Sequence, residues 1–465
     1  MLRYFRINDP YRLLGLLLIL VIIYLPLFID PAGLTKPEIK NILVGEKLQD
    51  GNQMYLEVAD RTAPLAAWFH SAIDFVFGRS LLARHIIAFF LTFLFSASFG
   101  ILLITKKVFS ENTFIPSLIF SILFTFSFDT LSLSDELLGF GFLLLAWNNL
   151  FKEIEFRMPR DETTFNLGIF ISFASLFFFA YVTFLFAVLV ILFLFSRSTI
   201  RKVLLLIFGF LLPHLVVLTI SFFNGGLEKI WQYYYLSNLG YNKEFLVSIK
   251  GMLILGIVPL VYLLISIFML NRLARFSKYQ SELLQSVFLW GGFCFIYFLF
   301  APDLRPQSMI VLVPVLAFLF THFLLLIRRR KFAEMNIWIL LAGTVLTSYL
   351  ARYDILSDVS YENLRITSTS DSIKGKRILV LGPDLHYFED NAAATHFLNW
   401  KLAAPTFNEP EYYQSVVAVY EAFKNDEPDL IVDPEDKMKP FFFRIPSLKK
   451  QYERSGDLYI RRANN

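Results

Sequence analysis

The sequence predicts a polytopic membrane protein built mainly of α-helices. Of its 465 residues, 56% are hydrophobic and 18% are charged, whereas soluble domains average about 45–50% and about 25%. Mean hydropathy is +0.56. The apolar residues come in blocks near the length of about 20 residues that a helix needs to cross a bilayer. These figures exclude a water-soluble globular protein, a disordered chain and a disulfide scaffold. A net charge of +4 argues against a nucleic-acid partner.

The apolar blocks predict about eleven membrane spans. One block, residues 167–195, is too long for a single upright span, and we expect it to divide into two short spans that meet near residues 180–183. The other spans are expected at residues 13–29, 82–105, 114–128, 137–151, 203–223, 252–270, 286–300, 309–327 and 337–350.

The distribution of basic residues predicts the orientation of these spans. Lys and Arg are concentrated in alternate loops, which the positive-inside rule assigns to the cytoplasm. The N-terminus is then cytoplasmic, and the C-terminal segment lies outside a bacterial cytoplasmic (inner) membrane. Dividing the 167–195 block places Arg160 and Arg197 on the same side. No small-residue cleavage site follows Ile29, so the first span is expected to be an uncleaved anchor.

The hydropathy pattern predicts two domains. Residues 1–350, including an outer loop at 30–80, would form the membrane bundle, and residues 351–465 a small extracytoplasmic α/β domain. Strand patterns occur there at 377–381, 429–432 and 458–460, and helical spacing at 388–402 and 412–424. Because no glycine-rich phosphate loop follows the first strand, we expect an acceptor-binding or structural domain rather than a nucleotide site.

Polar residues in the first third of the chain form an ordered set. The set comprises Pro37-Glu38, Met54-Tyr55, Asp60, Ala63-Pro64-Leu65, Phe77-Gly78-Arg79-Ser80 with Arg84, and Ser134-Asp135-Glu136. In order, spacing and position between spans, it resembles the GT-C class of membrane glycosyltransferases, which includes protein O-mannosyltransferases and lipid A aminoarabinose transferases. The resemblance covers residues 1–151 and implies a GT-C-like helical bundle that takes its sugar from a polyprenyl-phosphate donor.

Two positions depart from the family pattern. The family's acidic pair is usually Asp-Glu, whereas Pro37-Glu38 retains one carboxylate. The family's Pro-Pro-Leu turn is Ala63-Pro64-Leu65 in this chain. These changes favour either altered substrates or lost catalysis.

Sugar transfer from a lipid phosphate needs a carboxylate and several cations. The carboxylate takes the acceptor's proton as general base, and Arg side chains neutralise the leaving phosphate bidentately. Glu38 is the first candidate base and Asp60 the second, while Asp135 would orient an Arg or the acceptor. The candidate substrate-binding residues are Arg61, Arg79, Arg84, His85, Glu136 and Tyr55.

Structural explanations compete with each of these roles. Glu38 would be a solvated loop residue, Asp60 and Arg61 a surface pair, and Arg79 a side chain that reaches the interface. Asp135 and Glu136 would cap the helix that follows them.

Two other polar segments also allow two interpretations. The aromatic cluster at residues 231–235 would stack on sugar or prenyl chains, or would form part of an interfacial aromatic belt. The Asp303–Arg305 pair would border a lipid access route, or would form a turn fixed by Pro302 and Pro306.

No metal or cofactor is expected to be required. The 6 His residues and the single Cys show no metal-binding spacing. A carboxylate-bound Mg²⁺ or Mn²⁺ stays open.

The favoured hypothesis is a membrane glycosyltransferase. It would move a hexosyl or pentosyl group from a polyprenyl-phosphate donor to a lipid, glycan or protein at the outer face of the membrane. The alternative is a non-catalytic scaffold or accessory subunit of a cell-envelope assembly with a degenerate GT-C fold. A transporter ranks third. Transporters usually carry polar interruptions at the midplane of the membrane, whereas the polar groups of this chain are expected at the outer face.

Overall fold

A computed structural model describes residues 1–156, 161–196, 199–240, 243–366 and 373–462. The chain forms two compact units. The first comprises Met1–Ala32, Ser80–Thr219 and Tyr241–Leu364, and the second comprises Gly33–Arg79, Ile220–Gly240 and Arg365–Asn465. This division differs from the expected one, because most of the 30–80 segment belongs to the same unit as the C-terminal residues.

The first unit is a bundle of apolar helices, as expected for a multi-pass membrane protein. Within the described residues, 6 helices are long and apolar enough to cross a membrane, or 7 if one bent pair counts as a single span. The 6 are Arg12–Ile29, Leu81–Thr105, Ile200–Phe223, Lys278–Phe300, Pro306–Leu326 and Arg330–Arg352. The bent pair is Ile249–Leu255 with Ile257–Leu273, and its axes diverge by 64°.

The remaining predicted spans coincide with helices outside this set, so the count of eleven stays a prediction. These helices are Ile115–Phe124, Asp135–Phe156, Asp161–Phe177 and Thr183–Phe195. Smaller elements of the unit are the helix Leu2–Phe5, the 3₁₀ turns Phe128–Leu131, Phe179–Val182 and Pro306–Leu312 (the last leading into the helix Val313–Leu326), and the parallel strands β1 (Glu244–Phe245) and β2 (Asp303–Leu304).

The long apolar block 167–195 is broken, close to the expected position. One helix ends at Phe177, Phe178 is extended, and a 3₁₀ turn precedes the next helix. The turn is anchored by Tyr181, whose hydroxyl donates to the backbone carbonyl of Glu136 at 2.8 Å. Arg160 and Arg197, which the division of this block would place on the same side of the membrane, lie outside the described residues.

Two glycines let a pair of these helices cross at close range. A Cβ atom at Gly168 would overlap the carbonyl oxygen of Leu206, and one at Gly209 would overlap the carbonyl oxygen of Phe165. In hydrocarbon, where no hydrophobic effect drives helices together, such close backbone contact is a main source of association. The crossing of Asp161–Phe177 and Ile200–Phe223 therefore depends on the absence of side chains at these positions.

The second unit contains a five-stranded sheet with the order β4-β3-β5-β7-β6. The strands are β3 (Arg377–Val380), β4 (Ala392–Ala393), β5 (Leu430–Val432), β6 (Tyr452–Ser455) and β7 (Leu458–Arg461). β4, β3 and β5 run parallel, whereas β7 pairs antiparallel with both β5 and β6. Three of these strands lie where the sequence pattern predicts them.

Helices cover both faces of this sheet. Leu379 and Ile431 point into a core with the helices Trp400–Asn408, Tyr413–Asn425, Lys439–Arg444 and Pro446–Gln451. Ile378 and Val380 point into a second core with Ile39 and Leu43. The helices of this second face are Lys36–Gln49 and Pro64–Phe77. The 30–80 segment is therefore a structural layer of the α/β unit.

One predicted helix, at residues 388–402, is wrong. The 3₁₀ turn His386–Phe388 ends where this helix is expected to begin, and it is followed by β4, which pairs with β3. Thr395 has a φ of 61°, which a helix cannot contain, and Asn399 then caps Trp400–Asn408 by accepting from the Lys401 amide. The apolar spacing that resembled a helix belongs to a strand and a loop on the sheet.

Replacing Gly168 with Ala tests the close helix crossing. We expect the unfolding free energy to fall by about 1–3 kcal/mol, because the new methyl group meets rigid backbone. Gly292→Ala is the matched control, since a Cβ there has no atom within 4 Å. Thermal and denaturant unfolding of the detergent-solubilised protein, followed by tryptophan fluorescence, would compare them. Equal stability of the two variants would contradict the crossing.

Candidate functional site

Buried polar groups collect where two irregular segments of the first unit meet. The helix Asp135–Phe156 starts after Ser134, whose hydroxyl accepts from the Leu137 amide at 3.1 Å. Glu136 is 2% exposed. Its carboxylate accepts from Arg305 Nη2 at 3.3 Å and from the Ser308 hydroxyl at 3.0 Å.

A second set of hydrogen bonds holds the same two segments together. Asp129, in the turn Phe128–Leu131, accepts from the Gln307 backbone amide at 2.9 Å. The Gln307 side chain donates to the Ser132 carbonyl at 2.7 Å. Both Asp129 and Gln307 are buried. Buried backbone outside regular helices needs hydrogen-bond partners within the protein, and these two bonds supply them.

Arg305 is the charged residue that stands out at this meeting point. It is 5% exposed. Burial lowers its pKa, but the carboxylates of Glu136, Asp129 and Asp303 outweigh that effect and raise the pKa of Arg305 above its usual value. Its Nε and Nη1 atoms find no hydrogen-bond acceptor within the described part of the chain. A buried cation with unused donors suits an anionic ligand such as a phosphate.

In the second unit, Asp60 is a buried and fully partnered carboxylate. It is 1% exposed. It accepts from the Thr62 amide at 2.7 Å and from Asn399 Nδ2 at 3.0 Å, and Lys40 Nζ lies 3.3 Å away. Burial raises the pKa of Asp60, but the charge of Lys40 and the hydrogen bonds hold it below the usual value. Asp60 is therefore ionised at neutral pH.

Tyr55 and Arg61 lie on the same 52–63 loop as Asp60. Tyr55 has a φ of 70°, and its hydroxyl donates to the Thr62 carbonyl at 2.7 Å. The Arg61 carbonyl accepts from Asn238 Nδ2 at 3.0 Å. These bonds fix the backbone of the loop around Asp60.

Glu38 takes part in a helix cap. Its carboxylate accepts from the Thr35 amide at 3.0 Å and from the Thr35 hydroxyl at 2.7 Å. Thr35 and Glu38 form a capping box at the start of Lys36–Gln49, with Pro37 in the first turn. The Thr-x-x-Glu spacing is a sequence signature of this cap. The role of Glu38 as general base stays a prediction.

Arg79 uses all five of its guanidinium N–H groups within the second unit. Two nitrogens bind the Glu46 carboxylate, and the remaining donors reach the carbonyls of Phe388, Glu389 and Asn391 at 2.8–2.9 Å. This geometry joins the helix Lys36–Gln49 to the segment between β3 and β4, and it leaves no donor for a phosphate. Phosphate binding by Arg79 would require these bonds to break.

The other predicted residues belong to the first unit. Arg84 is buried and His85 half-buried near the start of Leu81–Thr105, whose first turn Ser80 caps. Asp135 is half-buried beside Glu136. Within the described residues, no group of three or more His, Cys, Asp or Glu side chains is arranged for a metal ion.

The sequence analysis interpreted the Asp303–Arg305 pair as the border of a lipid access route or as a turn, and not as a phosphate-binding group. It missed Asp129, Gln307 and Ser308. The available signal was a charged pair between two prolines, flanked by apolar blocks. The pairing of Arg305 with Glu136, 169 positions apart in the chain, has no signal in a single sequence.

Comparison of structures identifies the fold. Neither a protein-family model nor a curated protein matches this chain. The structure is similar to ArnT from Cupriavidus metallidurans bound to undecaprenyl phosphate, with a TM-score of 0.53, 12% identity, and coverage of 75% of this chain and 66% of that one. It also matches the oligosaccharyltransferase AglB from Archaeoglobus fulgidus, in complex with an inhibitory peptide and a dolichol-phosphate. That match has a TM-score of 0.47, 11% identity, and coverage of 97% and 74%.

The chain has a GT-C-like fold, as the sequence resemblance implied. At 12% identity the likeness is one of fold. The chain spans 66% of the ArnT chain, slightly less than two thirds of its length. Activity on a given fold is determined by its site residues.

Two substitutions separate a capping role of Glu38 from a catalytic one. Glu38→Gln keeps an acceptor for Thr35, so we expect the unfolding free energy to change little. Glu38→Ala removes the cap and should cost about 0.5–2 kcal/mol. Thermal unfolding of both variants measures the difference. Equal losses in the two variants would show that the cap contributes nothing.

The depressed pKa of Asp60 predicts an acid-sensitive contribution to stability. An unfolded Asp has a pKa of about 3.9, and the folded value lies below it. The stabilisation is therefore complete above about pH 5 and is lost as pH falls through the folded pKa. Melting temperatures of wild type and Asp60→Asn, measured from pH 3 to pH 7, should differ most at neutral pH and converge in acid. A constant difference would contradict this assignment.

Proposed function

We propose that this chain is an integral-membrane glycosyltransferase. It moves a sugar from a polyprenyl-phosphate donor to a lipid, glycan or protein acceptor at the outer face of a cytoplasmic membrane. One observation carries the proposal: within a GT-C fold, the buried guanidinium of Arg305 is held by Glu136 through one nitrogen and keeps Nε and Nη1 without protein acceptors in the described residues.

The chemistry explains why such an arginine is needed. The acceptor's nucleophilic atom attacks the anomeric carbon, the bond from that carbon to the phosphate oxygen breaks, and polyprenyl phosphate leaves as an anion. Negative charge grows on the leaving oxygen in a site of low dielectric constant, where a fixed cation stabilises it strongly. The planar guanidinium can donate two parallel hydrogen bonds to phosphate oxygens. Glu136 and Ser308 would hold Arg305 in place for this contact.

A carboxylate must take the acceptor's proton. Both predicted bases are hydrogen-bonded within the protein, and we take Asp60 as the base because it lies in an irregular loop, whereas Glu38 is part of a helix cap. Asp60 is ionised, buried and held by a rigid loop. In this proposal Asp135 orients the acceptor, and Arg61, Arg84, His85 and Tyr55 contribute donors for the sugar or the phosphate. The step requires no bound metal, so EDTA should leave turnover unchanged.

Binding of undecaprenyl phosphate tests the role of Arg305. Arg305→Met should weaken binding by about 10- to 100-fold, because a hydrogen bond to a charged group contributes about 1.5–3 kcal/mol. Arg352→Met is the matched control. Arg352 is a similarly buried arginine of the same unit, 4% exposed, whose carboxylate partner is Asp30. Scintillation proximity or thermophoresis in lipid nanodiscs would measure the affinities.

Equal affinity of the two arginine variants would contradict phosphate binding at Arg305. Loss of binding in both would point to a general destabilisation, which their melting temperatures would reveal. Arg305→Lys should recover part of the affinity, since it restores the charge without the bidentate geometry.

Turnover of a panel of polyprenyl-phosphate sugars then tests catalysis. We expect Asp60→Asn to abolish transfer while retaining donor binding, and Glu38→Gln to remain active. The reverse result would make Glu38 the base. Failure of well-folded wild-type protein to bind any donor would favour the envelope scaffold, and binding without transfer or hydrolysis would favour a transporter.

A further inference from the structure

A short helical segment follows a membrane span and presents three distinct faces. Residues 227–239 comprise the helix Leu227–Ile230, the π-helix Trp231–Leu236 and the helix Ser237–Leu239. A buried face contains Ile230 and Tyr234. An exposed polar face contains Glu228, Lys229 and Gln232. The third face, which we term the apolar stripe, consists of Leu227, Trp231, Tyr235, Leu236 and Leu239.

The apolar stripe is largely uncovered in this chain. Trp231 is 53% exposed, Leu236 51% and Leu239 56%, whereas Ile230 and Tyr234 are fully buried. The rings of Trp231 and Tyr235 lie 5.3 Å apart along the stripe. A run of large apolar side chains beside a charged face is the pattern of a helix that lies in a membrane interface, where Trp and Tyr are enriched.

Chain connectivity supports a lipid environment for the stripe. The span Ile200–Phe223 ends in two exposed phenylalanines, Phe222 and Phe223. Only residues 224–226 separate this end from Leu227. At about 3.3–3.6 Å per residue, Leu227 lies within roughly 14 Å of Phe223. The exposed apolar surface of the span therefore continues along the chain into the stripe.

The buried face of the same segment supports the 52–63 loop. The Tyr234 ring lies 6.4 Å from the Tyr55 ring, and Asn238 donates to the Arg61 carbonyl at 3.0 Å. A Cβ on Gly226 would lie 3.2 Å from Leu56 Cγ, so the loop packs closely on the start of the segment. Residues 227–239 therefore pack directly against the loop that carries Asp60.

We propose that the apolar stripe binds the headgroup–acyl boundary of the lipid bilayer, and that residues 227–239 thereby hold the 52–63 loop at the membrane surface. The partner is bilayer lipid rather than a protein. The importance of the loop for catalysis rests on the proposed function, whereas the lipid contact does not.

Nitroxide accessibility in liposomes tests the lipid contact independently of activity. In a Cys294→Ala background, spin labels would be placed at Leu236→Cys and Leu239→Cys. Gln232→Cys on the polar face of the same segment and Tyr413→Cys, at a position 79% exposed in the same unit, serve as controls. In phosphatidylcholine–phosphatidylglycerol liposomes, the ratio of oxygen to nickel-chelate collision rates should be several-fold higher at 236 and 239 than at 232 and 413.

Either of two results would overturn the proposal. Equal ratios at all four positions would show that the stripe faces water. Protection of 236 and 239 from both reagents would show that a protein, or a second copy of this chain, covers it.

A charge placed on the stripe tests its connection with the loop. Leu236→Asp with Leu239→Asp should lower donor turnover several-fold, whereas Gln232→Asp should leave it unchanged. Unchanged turnover in the double variant would show that residues 227–239 do not affect catalysis. If wild-type protein shows no turnover, the proposed function fails, and the collision ratios still decide the lipid contact.

Discussion

Backbone groups buried inside a protein must have their hydrogen bonds satisfied there, and this constraint determines where the polar groups of the first unit collect. Most of the unit is regular helix. Its irregular backbone includes the turn Phe128–Leu131, the strand β2 and the turn Pro306–Leu312. Asp129, Glu136 and Gln307 supply the hydrogen bonds of these segments. The contacts between these non-helical segments also hold the buried Arg305 in place. The candidate site therefore arises from the same packing that satisfies the backbone.

In the second unit, both faces of the sheet are apolar and must be covered by helices. One cover comes from the C-terminal helices, and the other from Lys36–Gln49 and Pro64–Phe77. Charged side chains then join the helix Lys36–Gln49 to residues that lie beside the sheet. Arg79 joins the first of these helices to carbonyls beside β4, and Lys47 binds Asp426 at 2.6 Å. Arg79, which the sequence alone suggests for phosphate binding, therefore links elements of this unit.

The sequence predicted the fold class, the positions of the apolar helices and three strands, because hydropathy and short runs of apolar residues are local signals. It predicted the break in the 167–195 block from length alone. It did not predict that residues 33–79 cover a sheet more than 300 positions later, since pairing at that distance has no local signature. For Glu38 a local signature existed: Thr35-x-x-Glu38 is a capping pattern, and the family resemblance drew attention to the carboxylate instead. Arg305 was visible as a charge between prolines, but its burial depends on tertiary packing.

The assembly of the second unit from distant segments has a consequence for biosynthesis. Its first helices leave the ribosome about 300 residues before β3, a delay on the order of tens of seconds at about 5–20 residues per second. During that interval Ile39 and Leu43 have no sheet to pack against, while the intervening spans are still being inserted. The nascent segment must therefore wait with an apolar face uncovered, either against the membrane surface or with a chaperone. The α/β unit therefore closes only after β3 and β5 have been synthesised, late in the production of this chain.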